Sequence, residues 1–180
     1  MKLTFVTGNE HKAREASLTL GVEIERVKLE LDEIQSLDLR AVVEHKVRQA
    51  YAQIGRPVIA EDVSLAIKQL NNLPCTFIKW FKNGLGSQGV ADLLSKEDRR
   101  VDYIVGYGYF DGKNFEYAEA VTHGAIAKKA SGESGFGFDN IFIPEGYTQT
   151  FAQLGEEVKM KIGSRPRALL AMRDLLNSHV

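Results

Sequence analysis

KLTFVTGNEHKAREA, Lys2 to Ala16, sets the architecture of this chain. Its apolar run Leu3–Val6 is aromatic and β-branched, the pattern of a buried strand, and it stops at Thr7-Gly8-Asn9. Asn9 is a good N-cap for a helix running to about Leu20, so the stretch reads as strand, tight turn, helix. Lys12 falls in the first helical turn, where exposed backbone N–H groups and the positive end of the macrodipole favour Asp or Glu. A cation there is costly unless something anionic visits.

Working outward, Val22–Leu31 alternates apolar and charged residues and predicts a second strand, ending near Asp32-Glu33-Ile34-Gln35 with a loop beyond it. Leu39, Val42, Val43, Val47, Ala50 and Ile54 have the spacing of an amphipathic helix, which Gly55 and Pro57 end. Pro57–Ala60 predicts a short buried strand that delivers Glu61-Asp62 at its carboxyl end. After the turn at Asn71–Pro74, an aromatic stretch Phe77–Phe81 precedes a helix from about Ser87 to Leu94. Asp111-Gly112 marks a hairpin between Tyr103–Phe110 and Phe115–Ile126. Ser131–Gly137 is rich in glycine and serine, Phe138–Ile143 predicts a short strand, and Leu169, Met172, Leu175 and Leu176 face a last helix inward. Interleaved helices and strands with an inserted hairpin predict an α/β fold with a mixed sheet.

The chain has 180 residues, 44% of them hydrophobic, enough for a sizeable core and short enough for one domain over 1–180. With 23 basic and 24 acidic residues, no overall field draws it to nucleic acid or an anionic membrane, so any anion site is local. The single cysteine, Cys75, excludes an intrachain disulfide and a thiolate metal cluster. No apolar run resembles a signal segment or approaches the roughly 18 residues of a membrane span, and the chain reads as soluble and cytoplasmic.

Thr7-Gly8-Asn9-x-x-Lys12 brings a hydroxyl, an amide and an ammonium group to a strand-turn-helix junction, which describes a phosphate cradle. A capped helix in which Lys12 pairs with Glu15 explains the same residues, and no P-loop is present. Glu61-Asp62, with Glu33 at another expected strand end, suits a hard divalent cation that completes its shell with water and phosphate. Solvated strand-end acids are the plainer alternative. Lys46 lies beside its helix's apolar stripe and is expected half-buried, within reach of a cleft. Lys159, Lys161, Arg165 and Arg167 form a basic cluster that a solvated face would also explain. In Ser134–Asp139, two rings between glycines can form a flat slot for a base, and core packing of Phe136 or Phe138 competes with that. The histidines His11, His45, His123 and His179 show no metal-ligand spacing.

In order, TGNEHKAREA, EIQS, IAEDVSL, LPCTFIKWF, GFGFDNIFIPEG, TFAQL and a closing K-x-x-x-x-S-R resemble the inosine triphosphate pyrophosphatase family from about Leu3 to Leu176. The resemblance implies an elongated, two-lobed α/β fold with a central mixed sheet flanked by helices and a cleft between the lobes, usually as a homodimer. It implies Mg2+-dependent hydrolysis of ITP, dITP and XTP to the monophosphate and pyrophosphate. Thr7, Gly8, Asn9, Lys12 and Lys46 would then bind the triphosphate. Glu33 and Asp62 would hold magnesium, with Asp62 also the base and Lys12 and Lys46 assisting catalysis. Val63, Phe136, Gly137, Phe138, Asp139, Lys159, Ser164 and Arg165 would line the rest of the substrate site.

Five positions depart from the family pattern. Gly163-Ser164-Arg165 replaces Ser-His-Arg, which removes the histidine that helps to read the 6-keto purine edge; Ser164 has less reach than imidazole. Val63 replaces a small hydroxyl residue, Cys75 a glycine and Asn140 a proline. The rival readings are a nucleotide-binding protein with weak activity and a pyrophosphohydrolase of different base selectivity.

Overall fold

The computed structural model describes residues 4–95 and 97–178, so Leu3, the first residue of the expected strand, and His179 lie outside the described residues. Strand β1 (Thr4–Val6) is fully buried, and helix α1 (Glu10–Leu20) follows it directly. Asn9 caps α1 by accepting the His11 N–H at 3.0 Å, and the helix ends at Gly21, whose φ of 65° suits a residue without Cβ.

The second strand, β2 (Glu25–Val27), is much shorter than the alternation suggested. Beyond Val27 the backbone leaves the ladder. Leu29 and Leu31 still pack against the core around Val47, Ala50 and Val58, while the Gln49 side chain accepts from Asp32 N and donates to Asp32 O. Alternating apolar residues are thus anchored by side chains in place of a strand partner. Helix α2 (Leu39–Ile54) matches its expected bounds, capped by Asp38 and closed at Gly55 with φ 73°.

Strand β3 (Val58–Ile67) runs ten residues, so Glu61 and Asp62 lie in mid-strand and not at its end. Strand β4 (Pro74–Cys75) pairs with it antiparallel. Helix α3 (Ile78–Asp92) starts at the aromatic stretch, well before Ser87; Gly86, at φ 67°, interrupts it and hides its continuity in the sequence. Strands β5 (Arg100–Phe110) and β6 (Phe115–Ile126) form the expected hairpin, with Asp111 Oδ1 accepting the Lys113 and Asn114 N–H groups. Strand β7 is Phe142–Pro144, because residues 138–141 turn, with Ile141 N donating to Phe138 O at 2.9 Å. Helix α4 (Phe151–Ile162) has no counterpart in the sequence reading; Thr150 and Gln153 form a capping box, and Gly155 at φ 84° breaks its periodicity. Helix α5 (Ser164–Ser178) buries Leu169 and Met172.

Among the described residues, seven strands form one mixed open sheet in the order β2-β1-β3-β5-β6-β7, with β4 on β3, and helices flank it. β1 is parallel to β2 and β3, whereas β6 and β7 are antiparallel. The packing divides the chain into two compact units, residues 1–62, 105–120 and 165–180, and residues 63–104 and 121–164. In the first, Val6, Val47, Ala50, Val58, Ala60 and Phe110 form a core cluster. In the second, the Phe142 ring stacks on Phe151 at 5.2 Å and lies 5.5 Å from Tyr103.

Gly108 of β5 lets α2 lie against the sheet: a Cβ there would sit 2.6 Å from Val43 Cγ1 and 3.1 Å from Phe115 Cε2. Gly108→Ala is therefore expected to lower stability by about 1–3 kcal/mol in urea unfolding, through displacement of α2. An unchanged midpoint would show that α2 yields freely.

Candidate active site

Glu61 and Asp62 are consecutive in β3, so their side chains leave opposite faces of the strand, from Cα atoms about 3.8 Å apart. Each meets its own cation. Glu61 is completely buried, with Lys12 Nζ 3.0 Å from Oε1, Arg165 Nε 2.8 Å from Oε2, Arg165 Nη2 3.2 Å from Oε1 and the Tyr107 hydroxyl donating to Oε2 at 2.8 Å. Burial alone would raise the Glu61 pKa, but the Arg165 and Lys12 charges and their hydrogen bonds outweigh it and hold the carboxyl at about 2. Burial, reinforced by the Glu61 charge, pushes the Tyr107 phenol well above its usual value, so it stays a donor. Arg165 Nη1 also donates to Glu15 Oε2 at 2.7 Å.

On the other side, Lys46 of α2 reaches Asp62 Oδ2 at 2.6 Å and Glu33 Oε1 at 3.5 Å. Burial works against the Lys46 charge, yet the Asp62 and Glu33 carboxylates outweigh it and raise its pKa. Glu33 sits in the irregular segment after β2 and not at a strand end. One ammonium within ion-pair distance of both acids shows that Glu33 and Asp62 converge on a spot that accepts positive charge. Two hard carboxylates are the donor type that an oxygen-liganded divalent ion takes; no group of three or more potential metal ligands occurs among the described residues.

Thr7 Oγ1 accepts the Asn9 N–H at 3.1 Å, so the hydroxyl and amide of the turn both brace its backbone. A Cβ at Gly8 would meet only the Lys28 side chain, at 3.9 Å. Thr7, Gly8, Asn9, Lys12, Glu33, Lys46, Asp62 and Arg165 all belong to the first unit. Lys12 pairs with Glu61, while Glu15 takes Arg165. Arg165, expected to line the base site, pairs with Glu61 and Glu15, and its side chain is only 3% exposed. Lys159 is also buried, whereas Lys161 and Arg167 are exposed, so the basic cluster divides between buried and solvated side chains.

The remaining site residues lie in the second unit. Asp139 is buried, and its Oδ2 accepts from Phe136 N at 2.8 Å and Lys159 Nζ at 2.7 Å. The Lys159 ammonium stands 4.2 Å from the Phe136 ring centroid. Gly135 adopts φ 80°, and a Cβ there would run into the Asp139 side chain. Phe138 is buried as a core ring, whereas Phe136 is half-exposed. Val63 is buried, and Ser164 is fully buried with an Oγ that has no hydrogen-bond partner. Tyr107, and the pairing of Glu15 with Arg165, are not legible in the sequence because the partners are distant in the chain.

A model of the Ham1 family matches residues 3–175. The chain is 38% identical over 175 residues to a dITP/XTP pyrophosphatase of Methanopyrus kandleri, spanning 94% of this chain and 93% of that protein. It is 36% identical over 192 residues to an inosine triphosphate pyrophosphatase of Scheffersomyces stipitis, spanning 98% of each. A HAM1 protein structure from Coxiella burnetii superposes with a TM-score of 0.84 at 23% identity, covering 100% of both chains.

The lowered Glu61 pKa fixes a sign. Glu61 stabilises the fold fully above its ordinary value of 4.5, and that contribution is lost as pH falls toward about 2. Urea unfolding of the native chain minus that of Glu61→Gln is expected to shrink steadily across that window. A difference independent of pH would rule out an ionised Glu61.

Proposed function

The chain belongs to the Ham1 family, and from that premise we propose that it hydrolyses the non-standard purine nucleoside triphosphates ITP, dITP and XTP to the monophosphate and pyrophosphate, with Mg2+. The observation that carries this reading is the pair of charge clusters on consecutive residues of β3, Lys12 at Glu61 and Lys46 with Glu33 at Asp62. Two ammonium groups suit a polyphosphate. Two converging carboxylates suit the divalent ion that accompanies it.

In this reading, Thr7, Gly8 and Asn9 present the turn and the N-terminus of α1 to the phosphates, and Lys12 and Lys46 neutralise their charge. Glu33 and Asp62 would hold the ion, which supplies charge stabilisation at the phosphate oxygens. Asp62 accepts a proton from water as that water's oxygen bonds to the α-phosphorus. The bond from the α-phosphorus to the bridging oxygen breaks, and pyrophosphate leaves with the electron pair. Lys46, bonded to Asp62 Oδ2, fixes the orientation of the base. Phe136 offers a ring face to the base, backed by Lys159 and Asp139, with Val63, Gly137, Phe138 and Ser164 completing the substrate contacts. A cytoplasmic homodimer belongs to the same proposal.

The unpaired Ser164 Oγ favours a second reading, a pyrophosphohydrolase of different base selectivity. Pyrophosphate release from ITP, dITP and XTP beside ATP, GTP and dUTP separates the two. The first requires preference for the oxo-purines, and a chelator should abolish it. Asp62→Asn is expected to lower kcat by about 10³-fold with nucleotide binding retained. Near-normal turnover in that variant would refute its role as the base.

A further inference from the structure

Four ionised side chains of the first unit close a ring. Lys12 reaches Glu61, Glu61 takes two donors of Arg165, and Arg165 reaches Glu15, at 3.0, 2.8, 3.2 and 2.7 Å in turn. Glu15 and Lys12 lie three residues apart on α1, so one turn of helix completes the circuit. The signs alternate and the charges cancel.

The ring is an expensive way to hold a helix. Each ion removed from water costs several kcal/mol before pairing, and well-packed apolar side chains of similar volume often stabilise as well or better. Yet the side chains of Glu61, Arg165 and Glu15 are 0%, 3% and 7% exposed, while that of Lys12 is 19% exposed. Three members are buried and fixed; the fourth reaches solvent. A lysine chain is otherwise loose among many rotamers, and the dry part of the ring gives it one anchored direction.

We propose that Glu15 is a positioning residue: through Arg165 it holds Glu61 in place, and Glu61 aims the Lys12 ammonium at an anionic ligand over the N-terminus of α1. This rests on the reading of Lys12 as a phosphate ligand. Without the Glu15 charge, the four side chains carry a net positive charge and Arg165 loses one of the carboxylates that orient it. Lys12 then keeps its attraction for anions but loses its fixed direction. Binding and turnover should therefore separate, since misplacement of a catalytic contact weighs on the transition state.

Pyrophosphate release from ITP by the full chain with Mg2+ tests this. Glu15→Gln, which keeps the size and an acceptor oxygen, is expected to lower kcat on the order of tenfold with KM unchanged or lower. In a Lys12→Met background the same substitution should change kcat by less than about twofold, because its route of action is gone. Tyr107→Phe, which removes only a hydroxyl bonded to Glu61, should lower kcat without raising KM. Equal losses with and without Lys12, or native kcat in both single variants, would overturn the proposal. If the native chain releases no pyrophosphate from any nucleotide, the proposed function fails on its own. The ring is then judged by urea unfolding, where the stability losses of Lys12→Met and Glu15→Gln should fail to add. Strict additivity there would overturn it as well.

Discussion

A carboxylate without water must find cations, and Glu61 is such a carboxylate in the middle of β3. Lys12 comes from α1, Arg165 from α5 and the Tyr107 hydroxyl from β5. No two of these four groups are neighbours in sequence, and the need to neutralise one charge brings them to a single point. Satisfying Glu61 also lets the strand continue. An unpaired acid would have ended the buried run at Ala60, whereas the paired one allows Leu65 and Ile67 to extend the core with no exposure.

Strand alternation then assigns the next residue to other work. Asp62 emerges on the face opposite Glu61 and meets Lys46 and Glu33 instead of Lys12 and Arg165. Glu61 is closed to further chemistry because its oxygens already take the Lys12, Arg165 and Tyr107 donors and its proton affinity is low. Asp62 is half-buried and keeps access to solvent. Two adjacent acids thus divide between a structural anchor and a reactive group by one step of backbone, a distinction the dipeptide itself does not carry.

That division explains how much the sequence disclosed. The strand-turn-helix at Thr4–Leu20, α2 and the hairpin were legible because caps, glycine stops and apolar spacing are local signals. Helices α3 and α4 were blurred by positive-φ glycines inside them, Gly86 and Gly155, which read as breaks. The alternation at Leu29 and Leu31 misled because burial against α2 imitates a strand without its ladder. At the site, local reasoning offered Glu15 as the partner of Lys12, since the two share a helix face. The tertiary fold offered Lys12 a fully buried carboxylate and gave Glu15 an arginine 150 positions away. Charge pairing across such distances leaves no periodicity to read.

The second unit solves a similar problem less completely. Asp139 is buried like Glu61, with an ammonium and a backbone N–H on one oxygen, and its lysine also faces the Phe136 ring. Asn140 Oδ1 and Ser164 Oγ, however, are buried without hydrogen-bond partners. A buried hydroxyl left unmade costs about 1–3 kcal/mol, a penalty that alanine would avoid. A hydroxyl both donates and accepts, so Ser164 can meet either a keto oxygen or a ring N–H, where an imidazole in a fixed tautomer offers one role at each nitrogen. Under the proposed function, discrimination among bases would therefore fall mainly to Lys159 and Asp139, which are bonded to each other. Ser164 would reward any base that satisfies it.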